Sequence, residues 1–375
     1  MGRLTEANNI FALDLYKKLG EENRMENIFF SPLSVAAALA VVYLGAGGST
    51  AAQMAKVLHF GRVENTHSEF QRLQSALNKL GSSYLLKMAN GLYREKAFDF
   101  HSDYLQSISK FYQAELTTVN FAEGPEEARI QINTWVEGQT EGKIQNLLAQ
   151  GTIDEQSKLV LVNAIYFKGN WEMKFDEEDT EERPFRLTED ESKPVKMMYQ
   201  KGTFNTTYIE DLATNILELP YIQNELSMLI LLPNEISGLE ELEKQLTYDK
   251  LLKWTSAEKL DPSEIVVYLP RFKLEASYDL ESTLATMGMS EAFDATSADF
   301  SGMTGASELS LSKLVHKSFV EVNEEGTEAA GSTEATMTFR CLSFAEEFIA
   351  DHPFLFFIRH NKTQSILFFG RLSCP

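Results

Sequence analysis

The side chains that most often carry catalysis form no recognised pattern in this chain of 375 residues. None of its six histidines stands at the spacing of a metal site or of an HExxH motif. They are His59, His67, His101, His316, His352 and His360. The two cysteines, Cys341 and Cys374, form no CxxC pair, and no G-x-S-x-G turn is present. We therefore predict that the chain is not an enzyme and holds no metal ion and no cofactor.

One segment near the C-terminus is unusual for a globular protein. Between residues 326 and 338, ten of thirteen residues are Gly, Ala, Ser or Thr, which predicts an exposed loop that cannot anchor itself in a core. Every second residue is small or apolar, and all charges fall in the other set. The small or apolar set is Thr327, Ala329, Gly331, Thr333, Ala335, Met337 and Phe339. Because strand side chains alternate between two faces, the same segment suits a half-buried strand.

The elements that must hold this segment are predicted to be helices first and strands later. The first 115 residues are mainly helical in pattern, and Ser31 with Pro32 is typical of a helix start. The run 158–167 predicts a central strand covered on both faces, and a helical patch spans 128–148. Further strands are predicted at 216–219, 226–232, 265–269, 354–358 and 366–369. This order indicates an α+β fold, and the lack of a linker indicates one domain.

Charge and targeting signals limit the partners. Fifty-five acidic residues face 34 basic ones, and the net charge of −21 weighs against nucleic acid, heparin-like polyanions and anionic membranes as partners. The N-terminal residues lack the apolar run and cleavage site of a secretory signal, and no apolar stretch is long enough for a membrane span. Two cysteines in the whole chain suit a reducing compartment.

Seven short motifs together resemble the serpin family. VNEEGTEAA at 322–330 is similar to the hinge of inhibitory serpins. The others are FSPLSV (30–35), NAIYFKGNW (163–171), LPRFKLE (269–275), ADFSGM (298–303), DHPFLFFIRHN (351–361) and the C-terminal ILFFGRLSCP. The resemblance covers essentially the whole chain and points to the ovalbumin-like intracellular branch, clade B.

The resemblance implies a fold and a location. We expect a single serpin domain over residues 1–375, with three β-sheets surrounded by eight to nine helices. An exposed reactive-centre loop is expected at about 324–345. The branch also implies a monomer in the cytoplasm that can be released without a cleaved signal peptide.

The resemblance further implies suicide inhibition of serine proteases. A protease cuts the loop and forms an acyl-enzyme, and the cut loop inserts into the main sheet before hydrolysis. Counting seventeen residues from Glu324 puts the cut bond at Arg340–Cys341, and Arg suits trypsin-like proteases. A cut after Phe339 would suit chymotrypsin-like enzymes, and Phe-Arg also suits papain-like cysteine proteases. The alternative is a non-inhibitory serpin that acts as a chaperone, storage or binding protein.

Three groups of residues take structural roles in the same resemblance. The hinge is expected at Glu324, Gly326, Thr327, Glu328, Ala329 and Ala330, with Thr327 the first residue to enter the sheet. A hydrogen-bonded cluster beneath the sheet, the shutter, is expected at Ser31, Ser34, Asn163 and His316. The breach, where insertion starts, is expected at Trp171, with Arg271 pairing with Glu324. No basic helix of the kind that binds heparin is evident.

Overall fold

Residues 2–22, 24–79, 82–114, 116–306, 308–327 and 346–375 are described by the computed structural model. The predicted reactive bond and part of the predicted hinge lie outside these residues. They are Glu328, Ala329, Ala330, Phe339, Arg340 and Cys341.

Nine α-helices occur within the described ranges, in agreement with the eight to nine expected. They are α1 (Gly2–Glu22), α2 (Pro32–Tyr43), α3 (Gly48–Val57), α4 (Thr66–Leu77), α5 (Ser102–Tyr112), α6 (Pro125–Gln139), α7 (Gly238–Gln245), α8 (Tyr248–Trp254) and α9 (Glu281–Met287). In that part of the chain, each helix is too short or too polar to cross a bilayer.

Fifteen strands form the sheets in the part of the chain that the structure describes. They are β1 (Ile28–Phe30), β2 (Tyr84–Glu95), β3 (Leu116–Val119), β4 (Leu159–Asn170), β5 (Glu181–Arg186), β6 (Ser192–Ile209), β7 (Thr214–Pro220), β8 (Leu226–Pro233), β9 (Asp261–Pro270), β10 (Phe272–Asp279), β11 (Leu311–Asn323), β12 (Gly326–Thr327), β13 (Glu346–Ile349), β14 (Phe354–His360) and β15 (Ser365–Leu372).

Six of these strands form the main sheet, in the order β10-β11-β12-β4-β2-β3. Its centre is the parallel pair β11–β4, which runs from Leu311 opposite Leu159 to Phe319 opposite Tyr166. The predicted central strand is β4, which is buried along most of its length. Its alternate residues belong to two apolar clusters, one on each face of the sheet.

The other strands form one hydrogen-bonded network, in the order β1-β15-β14-β8-β7-β6-β9-β13, with β5 paired to β6. β6 is 18 residues long and pairs with three other strands of this network. Its first part pairs with β5 and β9, and its last part pairs with β7. The described strands thus form two hydrogen-bonded networks, and β6 joins into one network the strands that the serpin resemblance divides between two sheets.

Helix α2 joins the sheets through an apolar core. Its start is capped as predicted, since the Ser31 hydroxyl accepts the N–H of Ser34 at 3.2 Å and Pro32 lies in the first turn. All residues from Pro32 to Val42 are buried, where α2 contacts β4 of the main sheet and β15 of the other network. The core thus fixes the position of Ser31 and Ser34 under the main sheet.

Two sequence-based predictions need correction. The helical pattern of the first 115 residues missed β2, whose strand conformation comes from pairing with β3 and β4 rather than from alternation in its own sequence. The helix predicted across 128–148 ends at Gln139. Glu141 and Gly142 have φ values of 54° and 77°, which stop a right-handed helix.

Candidate functional site: the hinge and the sheet beneath it

A two-residue strand, β12, lies between β11 and β4 at one end of the main sheet. It follows a two-residue turn after β11, and both of its residues pair with both neighbours. The partners are Asn323 and Val322 on β11, and Asn170 and Gly169 on β4. Thr327 is fully buried, and Glu324 is 2% exposed. The loop was predicted to be exposed from residue 324 onward, but Glu324, Gly326 and Thr327 are buried, and Thr327 lies within the sheet.

Gly326 can occupy this position because it has no side chain. Its φ is 141°, which L side chains rarely adopt. A Cβ at Gly326 would also overlap the carbonyl oxygen of Gly169 and lie 2.6 Å from the Cα of Asn170. The close approach of β12 to β4 therefore requires glycine at residue 326.

The carboxylate of Glu324 anchors the start of the hinge. Nε of Arg271 donates to Oε1 of Glu324 at 2.5 Å, and the hydroxyl of Thr180 donates to the same oxygen at 2.6 Å. The backbone N–H of Phe175 donates to the Glu324 carbonyl at 3.0 Å. The predicted pairing with Arg271 is thus present in the geometry. Thr180 and Phe175 were missed, because nothing in their local sequence marks them as hinge contacts.

Trp171 holds the turn between β11 and β12. Its indole N–H donates to the Asn323 carbonyl at 3.0 Å, and its backbone N–H donates to the Glu325 carbonyl at 2.9 Å. Glu325 also pairs with Lys174. Trp171, just after β4, therefore satisfies the carbonyls of Asn323 and Glu325 on either side of Glu324, at the position where the serpin resemblance puts the breach.

Tyr221 lies beneath the hinge and was missed by the sequence analysis. Its ring stacks on Trp171 with a centroid distance of 4.5 Å and an interplanar angle of 19°. Its hydroxyl is 3.1 Å from Oγ1 of Thr327. Burial raises the pKa of Tyr221, so it is neutral near pH 7. Only the three-dimensional arrangement shows this residue, since it follows β7 in the other strand network.

The four predicted shutter residues lie together across the centre of the main sheet. His316 of β11 stands opposite Asn163 of β4, and the two side chains are linked at 2.5 Å between Nδ1 and Oδ1. The backbone N–H of Ser31 donates to Nε2 of His316 at 3.1 Å. This requires a neutral imidazole with its proton on Nδ1. Burial lowers the pKa of His316 to about 3, which keeps it neutral.

Asn163 connects the imidazole to the rest of the cluster. Its Nδ2 donates to Oγ of Ser34 at 2.6 Å and also contacts Oδ1 of Asn90. The Ser31 hydroxyl donates to the Leu367 carbonyl at 2.6 Å. Asn90, on β2, was not predicted. The bond between Asn163 and His316 crosses the line between β4 and β11, so it opposes separation of the two strands.

The C-terminal end of the predicted loop leads into β13, which belongs to the second strand network. β13 pairs with β9 at an edge of the second strand network. Just beyond it, Asp351 accepts the backbone N–H of Arg186 at 2.7 Å and pairs with its guanidinium at 3.0 Å. The segment 328–345 therefore connects two different sheets, one at β12 and one at β13.

An open pocket of about 420 Å³ lies beside the hinge. It is lined by Arg271 and Lys273 and by the carboxylates Glu177, Glu321 and Glu324. Arg271 is already paired with Glu324, and the lining has mixed charge. Among the residues that the structure describes, no group of three His, Cys, Asp or Glu side chains could hold a metal ion.

Comparisons with known proteins agree with this geometry. A family model described as "Serpin (serine protease inhibitor)" matches residues 6–375. Leukocyte elastase inhibitor from Equus caballus is 55% identical over 379 residues, and Serpin B6 from Pongo abelii is 54% identical over 378 residues. Each match covers 100% of this chain and 100% of the relative. In the sequence alone, residues 136–173 and 192–232 look most like leukocyte elastase inhibitor, and the match extends this likeness to the whole chain.

Solved structures show the same relationship. Uncleaved ovalbumin matches with a TM-score of 0.91 at 41% identity, covering 100% of both chains. A loop-inserted, cleaved mutant of ovalbumin matches with a TM-score of 0.88 at 40% identity, again over 100% of both chains. On the whole-chain family match, the identities above 50% and these structural matches, the chain belongs to the serpin family, in its ovalbumin-like branch (clade B).

Proposed function

We propose that this chain is a suicide-substrate inhibitor of serine proteases, with Arg340–Cys341 as the bait bond. The protease serine attacks the carbonyl carbon of Arg340, and the bond to the nitrogen of Cys341 breaks. The product is an ester between the serine oxygen and Arg340, together with a new amino terminus at Cys341. Inhibition then requires the loop to insert before water hydrolyses that ester.

The observation that carries the proposal is the pairing of β12 with both β11 and β4. Continuing this antiparallel register would place residue 337 opposite Leu159 on β4 and Ser312 on β11. Ten further residues, 328–337, therefore fit beside the existing strands. Arg340 would then lie three residues past the start of β4, which would carry a tethered protease to the opposite end of the sheet.

The alternation of the loop sequence fits the same register. Residues opposite each other point to one face, so 329, 331, 333, 335 and 337 would share the buried face of Thr327. These residues are small or apolar. The charges of Glu328 and Glu334 would fall on the opposite face of the inserted strand, away from the face that Thr327 shares.

The energetic reason for insertion is the gain of hydrogen bonds. The single parallel ladder between β11 and β4 spans eight residue pairs, and insertion replaces it with two antiparallel ladders. A gain of about ten backbone hydrogen bonds at about 1 kcal/mol each would favour the inserted state. The shutter bonds between β4 and β11 are part of the cost of opening.

The proposed targets follow from the residue before the cut bond. Arg340 suits the acidic pocket of trypsin-like proteases, which differs from the elastase named in the most similar relatives. A cut after Phe339 would instead favour chymotrypsin-like proteases, and Phe-Arg favours papain-like cysteine proteases. We infer a monomer in the cytoplasm from the ovalbumin-like branch, which size-exclusion chromatography and cell fractionation would test.

Incubation with trypsin tests the proposal directly. A complex that survives SDS, close to the summed masses of the two proteins, is expected. The Arg340→Ala variant should lose this complex with trypsin, while Phe339→Ala should keep it. Chymotrypsin and a papain-like protease in parallel reactions identify the other cutting registers.

Clean cleavage without any stable complex would count against the inhibitor. In that case the non-inhibitory alternative makes a second prediction. An inhibitory loop inserts after cleavage and raises the melting temperature strongly, whereas a loop that does not insert leaves it unchanged. A thermal melt of the cleaved protein therefore separates the two functions.

A further inference from the structure

Tyr221 links the hinge to a different sheet. It follows β7 and faces Trp171 through a single β-bridge between the two strand networks. Its ring stacks on Trp171 and meets Phe167 edge-on, with a centroid distance of 5.2 Å and an angle of 90°. Since the ring is fixed from two sides, the direction of its hydroxyl is fixed as well.

That hydroxyl points to Thr327, the second residue of β12. Tyr221 is 1% exposed and Thr327 is 0% exposed, and their oxygens are 3.1 Å apart. Within the described ranges, Thr327 is the hydrogen-bond partner of this phenol. If residue 327 left the sheet, the phenol would be buried without a partner, which is unfavourable. The bond therefore holds β12 in place.

We propose that Tyr221 is a positioning residue that keeps Gly326 and Thr327 docked before cleavage, so that insertion continues from an occupied site. The inference rests on the proposed function. After acylation, insertion competes with hydrolysis of the ester. A hinge that is already docked omits the first step of insertion, and this favours trapping over release of the cleaved protein.

The Tyr221→Phe variant tests this role because it keeps the stacked ring and removes only the oxygen. Leaving the Thr327 hydroxyl buried and unpaired should favour the undocked hinge. The ratio of cleaved to complexed inhibitor with trypsin should rise about three- to fivefold, as expected for one net hydrogen bond. Thr327→Val, which keeps the branched shape, should raise it to a similar extent.

The double variant gives the sharper result. With both hydroxyls removed, two apolar groups face each other and no polar group is left unpaired. The ratio for Tyr221→Phe with Thr327→Val should therefore be no higher than for either single change. Additive single effects, or a wild-type ratio for Tyr221→Phe, would overturn the positioning role.

A matched control comes from a tyrosine far from the hinge. Tyr104 is also buried, and its hydroxyl donates to the Val41 carbonyl at 3.0 Å. Tyr104→Phe should lower the melting temperature without changing the ratio of cleaved to complexed inhibitor. If Tyr104→Phe raised that ratio equally, a general loss of stability would explain the effect, and the positioning role would be wrong.

A second readout separates this inference from the proposed function. The same Tyr221 and Thr327 variants are compared by the melting temperature of the uncleaved protein, which needs no protease. Non-additive melting temperatures support the docked contact, and additive ones overturn it. Failure of the wild-type chain to trap any protease would overturn the proposed function alone, with the docked contact still supported.

Discussion

Acidification should destabilise this protein through His316. The side chain is fully buried, and its burial lowers the pKa to about 3. In the unfolded chain the same group titrates near pH 6.5. Between these two values the unfolded state binds a proton that the folded state does not. The contribution of neutral His316 to the free energy of unfolding is therefore fully present well above pH 6.5. It falls as the pH decreases toward 3.

The magnitude follows from the two pKa values. Lowering the pH from 7 to 5 should reduce the free energy of unfolding by about 2 kcal/mol through His316 alone. The geometry explains why the folded state excludes the proton. Nε2 of His316 accepts the N–H of Ser31, and a proton on Nε2 would place two donors against each other. Protonation of His316 thus requires its bond with the Ser31 N–H to break.

Urea unfolding at pH 7 and pH 5 measures the effect. The His316→Gln variant, which cannot titrate, should lose about 2 kcal/mol of the difference between the two pH values. His67 provides a matched control, since burial lowers its pKa to about 4 and it lies on α4. His67→Gln alone should reduce the difference in the free energy of unfolding between pH 7 and pH 5 by a similar amount. Burial also lowers the pKa of His360. Its contribution to the pH dependence of unfolding remains in both variants.

Two results would refute this reasoning. The first is a His316→Gln variant with the same difference in stability between pH 7 and pH 5 as the wild type. The second is a histidine NMR titration in which the His316 resonance changes with a midpoint above pH 5 in the folded protein.

Three further changes test the hinge and its anchor. Gly326→Ala should expel β12 from the sheet and increase the cleaved fraction in a trypsin assay. Gly138→Ala is the control, since a Cβ there would meet no atom within 4 Å, and it should leave the cleaved fraction unchanged. Equal cleaved fractions for the two variants would contradict the close-approach argument. Thr327→Arg places a charge at a fully buried position and should turn the inhibitor into a substrate; undiminished complex on an SDS gel would refute it. Arg271→Met leaves the Glu324 carboxylate buried without its cation and should lower the melting temperature more than Glu324→Gln does; the reverse order would refute the anchor.

The sequence contained enough information for the fold class and for much of the hinge. The N-terminal cap of α2 and the apolar run of β4 are local patterns, and both elements form where predicted. The family motifs brought together Asn163 and His316, which are more than 150 residues apart in the chain. Motifs of this kind carry tertiary information that no local pattern has.

The missed features all depend on contacts between distant elements. β2 becomes a strand because β3 and β4 flank it. Tyr221 and Thr180 reach the hinge from outside the main sheet and its flanking motifs. The alternation of small residues after Gly326 fits both a loop and a strand. Composition alone could not show that residues 326–327 are docked, because the space between β11 and β4 exists only in the folded protein.

The docked hinge and the shutter together predict how insertion would proceed. The register of Thr327 with Gly169 and Val322, extended along both strands, places one residue, Thr333, between Asn163 and His316. Thr333 shares the face of Thr327, so its hydroxyl would arrive where the bond between Asn163 and His316 is lost. A threonine can donate and accept hydrogen bonds, and it can therefore bridge the two separated side chains. Insertion would then proceed from the hinge to the shutter without leaving these buried polar groups unpaired.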